Sequence, residues 1–278
     1  MKTIPLEDDF NDVIGKAQRG LGLTEKQLAH QAGVLVGQVS DAKAGQFDEA
    51  VVRNLARALH LGADALVDLA QKAWYPQDSG EVPGLACFNT PYGAGMTVNA
   101  YLVWDPNSGN GLCFDTGADA SSLLQFAAER EIRVQMVLLT HTHPDHVADL
   151  GKITGRTAAK AFVCKLESFP EAEVFEAGYN FRVGPLIIST RQTSGHSRGG
   201  ITYVVDGLPR RLAVVGDALF AGSMGGGMVS YAEALRNNCE HILTLPDDTI
   251  LCPGHGPLTT VGEEKVHNPF FPHFSRHS

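Results

Sequence analysis

The chain has 278 residues, is 44% hydrophobic and 19% charged, and carries a formal net charge of −9. That is ordinary globular composition, and the acidic balance argues against a surface devoted to tracking nucleic acid or anionic lipid. No run reaches the roughly 18 apolar residues of a membrane span. Residues 1–10 include Glu7, Asp8 and Asp9 and have no apolar stretch of leader length, so a cytoplasmic protein is expected. Cys87, Cys113, Cys164, Cys239 and Cys252 are odd in number and widely spread, which predicts free thiols in a reducing compartment.

Residues 1–75 read as a separate helical unit, poor in proline and in β-branched runs. Thr24 and Gln27 form a capping-box pattern that opens a helix over 25–32, closed by Gly33. Further helices are predicted over 36–44, 48–59 and 63–70, that over 48–59 with Val51, Val52, Leu55, Ala58 and Leu59 at helical spacing. Leu23-Thr24, Gln27-Leu28-Ala29, Ala32-Gly33-Val34, Val39-Ser40, Gly45 and Leu55-Ala56-Arg57-Ala58-Leu59 resemble the helix-turn-helix domain of the Cro/repressor type. The candidate reading helix nevertheless offers one Gln and one Lys beside an opposing Asp41. Residues 1–75 hold eight Lys and Arg against ten Asp and Glu. DNA is therefore the disfavoured partner, and a role in lid packing or as a homodimer contact is expected. Residues 76–84, with Pro76, Asp78, Ser79 and Gly80, read as a short linker, so the two units are expected to touch.

From residue 85 the texture turns to short strands broken by glycine and polar turns. Strands are predicted over 85–89, 97–104, 111–115, 134–139, 161–164, 179–183, 186–190, 201–205, 212–215 and 249–252. Helices are predicted over 121–130, 147–153 and 231–244. The order fits an α/β domain of two sheets, each flanked by helices, over residues 85–278.

The densest chemistry follows the apolar run 134–139. There Thr140-His141-Thr142-His143-Pro144-Asp145-His146 places three imidazoles and a carboxylate in six positions. Alternation at a strand end lets His141 and His143 reach one point, while Asp145 and His146 open a new element facing a second. Neutral imidazole mixed with carboxylate oxygen is a ligand set for divalent metals. His196, Asp217 and His255 also lie just past predicted strands, each beside a glycine that lets the chain turn sharply.

Taken together, the series His-x-His-x-Asp-His, His, Asp, His resembles the metallo-β-lactamase superfamily, and that resemblance implies an αββα sandwich. Gly216-Asp217-Ala218-Leu219-Phe220-Ala221-Gly222-Ser223, Pro253-Gly254-His255-Gly256-Pro257 and the Thr259 to Pro269 stretch resemble the glyoxalase II-like hydrolases. The resemblance implies two divalent cations, zinc first with iron or manganese as alternatives. His141, His143 and His196 would hold one and Asp145, His146 and His255 the other, with Asp217 bridging. Asp145 and Asp217 would serve the chemistry as well, and Asp115 would prop the site.

The implied activity is hydrolysis of a small acyl thioester or ester by a metal-bridging hydroxide. Cys113 and Cys252 are then packing residues. Only twenty-three residues follow His255, so a C-terminal helical domain for glutathione is not expected. Met224-Gly225-Gly226-Gly227-Met228 stands where relatives of that branch carry Gly-Arg, which points away from glutathione as the leaving thiol. Arg198 is a candidate anion contact. The rival enzyme reading is a persulfide dioxygenase with one iron; the rival non-enzyme reading is a ligand-sensing DNA-binding regulator.

Overall fold

A computed structural model of the chain describes residues 3–93 and 95–274. Five helices come first: α1 (Phe10–Gly20), α2 (Glu25–Ala32), α3 (Val36–Lys43), α4 (Glu49–Ala58) and α5 (Ala63–Ala70). The capping box that predicts α2 is formed, with Gln27 N donating to Thr24 Oγ1 at 3.3 Å and Thr24 N donating to Gln27 Oε1 at 2.9 Å. The helix ends on Gly33 at φ +66°, a left-handed position that glycine occupies without steric cost.

The rest is a four-layer α/β sandwich, as expected. One sheet runs in the order β1 (Leu85–Tyr92), β2 (Met96–Trp104), β3 (Asn110–Phe114), β4 (Arg133–Leu138), β5 (Lys160–Cys164), β6 (Glu173–Phe175). Its first three strands are antiparallel and its last three join in parallel. The other sheet contains β7 (Asn180–Val183), β8 (Leu186–Gln192), β9 (Ile201–Asp206), β10 (Leu212–Gly216), β11 (Ile250–Pro253) and β12 (Thr259–Thr260), hydrogen-bonded in that order. All of its pairs are antiparallel except β10 with β11.

Alternation along the strands supplies the layers. Tyr101, Val103, Leu112 and Phe114 of the first sheet meet Ile188, Tyr203, Val205, Val214 and Cys252 of the second in a dry core between the sheets. The outer face of the first sheet buries Leu102, Cys113, Val137 and Val163 under α6 (Ser121–Glu129) and α8 (Leu150–Thr157). The outer face of the second buries Ala213, Val215 and Leu251 under α9 (Tyr231–Asn237) and α10 (Val261–His267).

That third core is continuous with the five N-terminal helices. Phe10, Val13, Ile14 and Leu66 share one cluster with Leu219, Met224, Tyr231, Phe270 and Phe271. The expected contact between the two parts of the chain is thus an extended apolar interface. It leaves no room at Gly20, where an added Cβ would overlap the ring of the buried Tyr231. Gly20→Ala is expected to lower the thermal midpoint of the whole chain, by an amount equal to about 1–3 kcal/mol of overpacking. Unaltered melting would place the interface elsewhere.

Several elements depart from the sequence expectation. The helix predicted over 231–244 is α9 followed by a π-helical turn, Asn238–Ile242. Strands β6 and β12 and helices α1 and α10 have no counterpart among the predicted elements. Past His143 the chain forms a single turn, α7 (Pro144–Val147), before α8 begins at Leu150 rather than running as one helix from 147. Among the described residues no helix is long and apolar enough to cross a membrane.

Candidate metal centre

The seven residues singled out from the sequence gather at one end of the sandwich. His141 and His143 leave the end of β4, Asp145 and His146 lie on α7, His196 follows β8, Asp217 follows β10 and His255 follows β11. His143 Nδ1 stands 3.0 Å from both His141 Nε2 and His196 Nε2. Asp217 Oδ2 lies 3.4 Å from His196 Nε2 and 3.4 Å from His255 Nε2, and its Oδ1 lies 3.2 Å from His146 Nε2. Asp145 Oδ2 lies 3.3 Å from His255 Nε2. Two ligand groups result: His141, His143, His196 and Asp217, and Asp145, His146 and His255, with the atoms in each within 4.8 Å of one another.

The backs of the rings are held by the scaffold. His255 Nδ1 donates to Thr97 O at 2.6 Å and His196 Nδ1 to Gly226 O at 3.0 Å. Asp115, at φ +52° and buried, accepts Thr140 N at 2.7 Å, Thr140 Oγ1 at 2.8 Å and His146 Nδ1 at 2.8 Å. It occupies the place of the expected prop. With their outer nitrogens engaged in this way, the Nε2 atoms of His146, His196 and His255 are free to ligate. His143 turns the other way and presents Nδ1.

The glycines have two separate reasons. Gly195 at φ +132° and Gly216 at φ +51° make the sharp turns expected beside His196 and Asp217. Gly254 has no such angle; a Cβ there would overlap Asp217 Oδ1 and crowd the His146 ring. Gly254 is small because the site is crowded, whereas Gly256 on the other side of His255, at φ +76°, makes the expected turn.

Without a cation the centre is electrostatically unsettled. Burial pulls His141 and His196 below the usual imidazole range. Burial would lower His146 too, but Asp217 and Asp115 outweigh it and raise it to about 10. His255 is driven to about 11 in the same way, by Asp145 and Asp217 against burial. Burial would raise Asp217, yet His146 and His255 keep it well below the carboxylate range. His146 Nε2 and Asp217 Oδ1 are buried and make no hydrogen bond. Such orphaned ligand-type atoms are costly unless a cation satisfies them. The donor set therefore fits a pair of divalent ions.

Several supporting residues carried no sequence signal. Asn99 Nδ2 donates to Pro253 O at 2.9 Å and Gly256 O at 2.8 Å, and Tyr101 OH to Pro253 O at 2.7 Å, fixing the His255 loop from the opposite sheet. Tyr203 OH donates to Leu139 O at 2.7 Å, steadying the start of the His141 loop. Glu167 accepts Thr142 Oγ1 and Gly199 N, each at 2.8 Å, joining the His143 and His196 loops. Buried strand tyrosines need a partner for their hydroxyls, which is the one general hint present in the sequence. Burial pushes the Cys113 thiol up to about 12 and Cys252 well above its usual range, as befits packing residues. Arg198 is exposed beside His196.

Glu264 braces the loop after Asp217 by accepting Gly222 N at 3.0 Å, Thr259 Oγ1 at 2.8 Å and Asn268 Nδ2 at 2.8 Å. Burial raises its carboxyl to about 8. The folded state thus binds this proton more tightly than the unfolded chain, whose carboxyl titrates near its ordinary value of 4.5. The stabilisation is full below that value and is lost as pH rises through about 8. Glu264→Gln is expected to be less stable at pH 5, since its amide must face Gly222 N or Asn268 Nδ2. It should also flatten the decline in urea midpoint between pH 6 and 9, and an unchanged slope would refute the assignment.

Residues 93–255, more than half of the chain, match the model of the metallo-beta-lactamase superfamily. The chain belongs to that superfamily. A probable metallo-hydrolase of Bacillus subtilis is 29% identical, over 65% of this chain and 95% of its own. A hydroxyacylglutathione hydrolase of Haemophilus influenzae is 29% identical over 62% and 92%. The crystal structure of the BLEG-1 B3 metallo-beta-lactamase superposes with a TM-score of 0.57 at 26% identity, covering 67% of this chain and 99% of that one. The family match begins at residue 93, so α1 to α5 lie outside it.

Proposed function

We propose that this member of the superfamily is a dinuclear metallohydrolase acting on small acyl thioesters. The observation that carries the reading is the convergence of seven imidazole and carboxylate side chains in two adjoining groups, with Asp217 placed between them. Metal ions held there would lower the pKa of a water between them towards neutrality and polarise a carbonyl. Zinc, iron and manganese all suit these donors.

The chain's own part is positional. His141, His143 and His196 would hold one ion, Asp145, His146 and His255 the other, and Asp217 would bridge. Asp145, 8% exposed, keeps one carboxylate oxygen beside His255 and is placed to accept a proton from a water in the site. The thioester preference draws on the similarity to the hydroxyacylglutathione hydrolase of Haemophilus influenzae. The loop Met224-Gly225-Gly226-Gly227-Met228 offers no cation for glutathione carboxylates, which favours a different leaving thiol.

The regulator reading draws less support. The open side of α3 carries Leu35, Val36, Gly37, Ser40 and Asp41, and Lys43 is paired with Glu25 at 2.7 Å. Such a face lacks the cations that phosphates require.

The decisive experiment is a thioester, ester, lactone and persulfide panel, run with and without oxygen, on protein of measured metal content. Thioester turnover without oxygen, about two metals per chain and more than 100-fold loss in His143→Ala are expected. A fully loaded chain inert on thioesters overturns the proposal, and oxygen-dependent persulfide turnover would replace it with the mononuclear iron reading.

A further inference from the structure

The N-terminal residues outside the family match make polar contacts with the metal-site loops. Lys16 on α1 donates to Asp8 Oδ2 at 2.5 Å and to Met224 O at 2.9 Å, and its Nζ lies 5.1 Å from the centroid of the Phe220 ring. Ser223 Oγ donates to the same Asp8 oxygen at 2.5 Å. Asp8, Ser223, Met224 and Phe220 are all buried. An ion pair in such a place is weak evidence for stability, because its desolvation offsets much of its attraction. Its geometry is therefore the more informative feature.

The loop it grips touches three of the proposed ligands. Asp217 begins it. Phe220 and Ser223 are tied by reciprocal backbone bonds of 3.0 and 3.1 Å, so they move together. The Phe220 ring stands edge-on to His255, centroids 5.6 Å apart. Beyond Met224, Gly225 is pressed so closely on the Asp217 carbonyl and the His196 ring that a Cβ would overlap the carbonyl. Gly226 O then accepts the His196 Nδ1 proton. The arm that carries Asp8 also brings Glu7 Oε2 to 4.0 Å from His255 Nδ1.

We infer that Asp8 and Lys16 are positioning residues for the metal centre, through which the N-terminal helical unit sets the loop joining Asp217 to His196 and His255. The inference rests on the reading of those side chains as metal ligands. Removing the pair lets Ser223 and Phe220 drift, and with them the orientation of His255 and His196. Outer partners of this kind govern metal affinity about 10–100-fold.

The test is a competitive titration of the metal-free full-length chain with zinc, and with cobalt for its ligand-field spectrum, alongside thermal melting. Asp8→Asn/Lys16→Met leaves no unpaired buried charge and so keeps the fold. It should bind the weaker metal equivalent about 10–100-fold less tightly, with a shifted cobalt band, and Lys16→Arg should restore most of the affinity. Wild-type affinities and spectrum in the double variant, whatever its melting point, overturn the inference and leave the pair as an interface contact. Wild-type protein that binds no metal overturns the metal reading itself, a separately visible result.

Discussion

Asp217→Asn is expected to abolish hydrolysis and to lower metal affinity by more than about 100-fold, more than any other single exchange at the centre. The carboxylate lies within 3.4 Å of His146, His196 and His255, so its oxygens reach side chains of both ligand groups. An amide keeps the shape but presents one neutral oxygen, and its NH2 must point at an imidazole nitrogen. The metal-free protein should change too. Asp217 helps to raise His146 to about 10 and His255 to about 11, and without it both should titrate nearer the ordinary imidazole value. For groups raised in this way the stabilisation is present below the unfolded value and is lost as pH rises through the folded one. The wild-type metal-free chain should therefore lose stability between about pH 7 and 11, and Asp217→Asn should lose less over that span. Metal content, turnover and the two melting profiles check each part. Retained loading by two equivalents would remove Asp217 from the bridging position.

The seven convergent residues were legible because an ordinary polar loop seldom packs so many imidazoles and carboxylates directly after an apolar run. Each later member also follows a strand and a glycine. Asp115 could be read only as a prop, since nothing local says that its oxygens reach Thr140 and His146. Asn99, Tyr101, Tyr203 and Glu167 were invisible for a related reason. Their hydrogen bonds span 152 and 154 positions for Tyr101 and Asn99, 64 for Tyr203 and 32 for Glu167 to Gly199, and periodicity reports only near neighbours. Strand β6 is three residues long with one buried side chain, too short for alternation to register. Helix α10 is capped by Thr260, which accepts Glu263 N, but its seven residues fall below the length at which spacing is informative. The π-turn Asn238–Ile242 after α9 has no signature of its own in the residue types, so 231–244 reads as one element. The seating of α1 to α5 on the outer face of the second sheet is tertiary information, carried by Gly20 against Tyr231 and by Lys16 against Met224.

Asp115→Ala should destabilise the chain by about 3–5 kcal/mol and weaken metal binding about 10–100-fold, although Asp115 belongs to neither ligand group. Three buried donors end on its two oxygens, Thr140 N, Thr140 Oγ1 and His146 Nδ1, and alanine removes that acceptor from all three, leaving only Thr140 Oγ1 another contact, with His141 Nδ1 at 3.0 Å. The backbone adds a second cost, because φ is +52°, a region that alanine enters less readily than Asp or Asn. Asp115→Asn separates the two effects. Asparagine tolerates the angle and keeps one acceptor, but its NH2 must confront either Thr140 or His146, so a smaller loss of about 1–3 kcal/mol is expected. The chemistry should suffer almost as much in both variants. The Asp115 carboxylate keeps the proton on His146 Nδ1 and so makes Nε2 the nitrogen available to a metal, whereas an amide donor there favours the opposite tautomer. Thermal melts should rank the variants wild type, Asn, Ala, while zinc affinity should group Asn with Ala. Equal affinity in Asp115→Asn and wild type would show that Asp115 supports the fold without orienting the ligand.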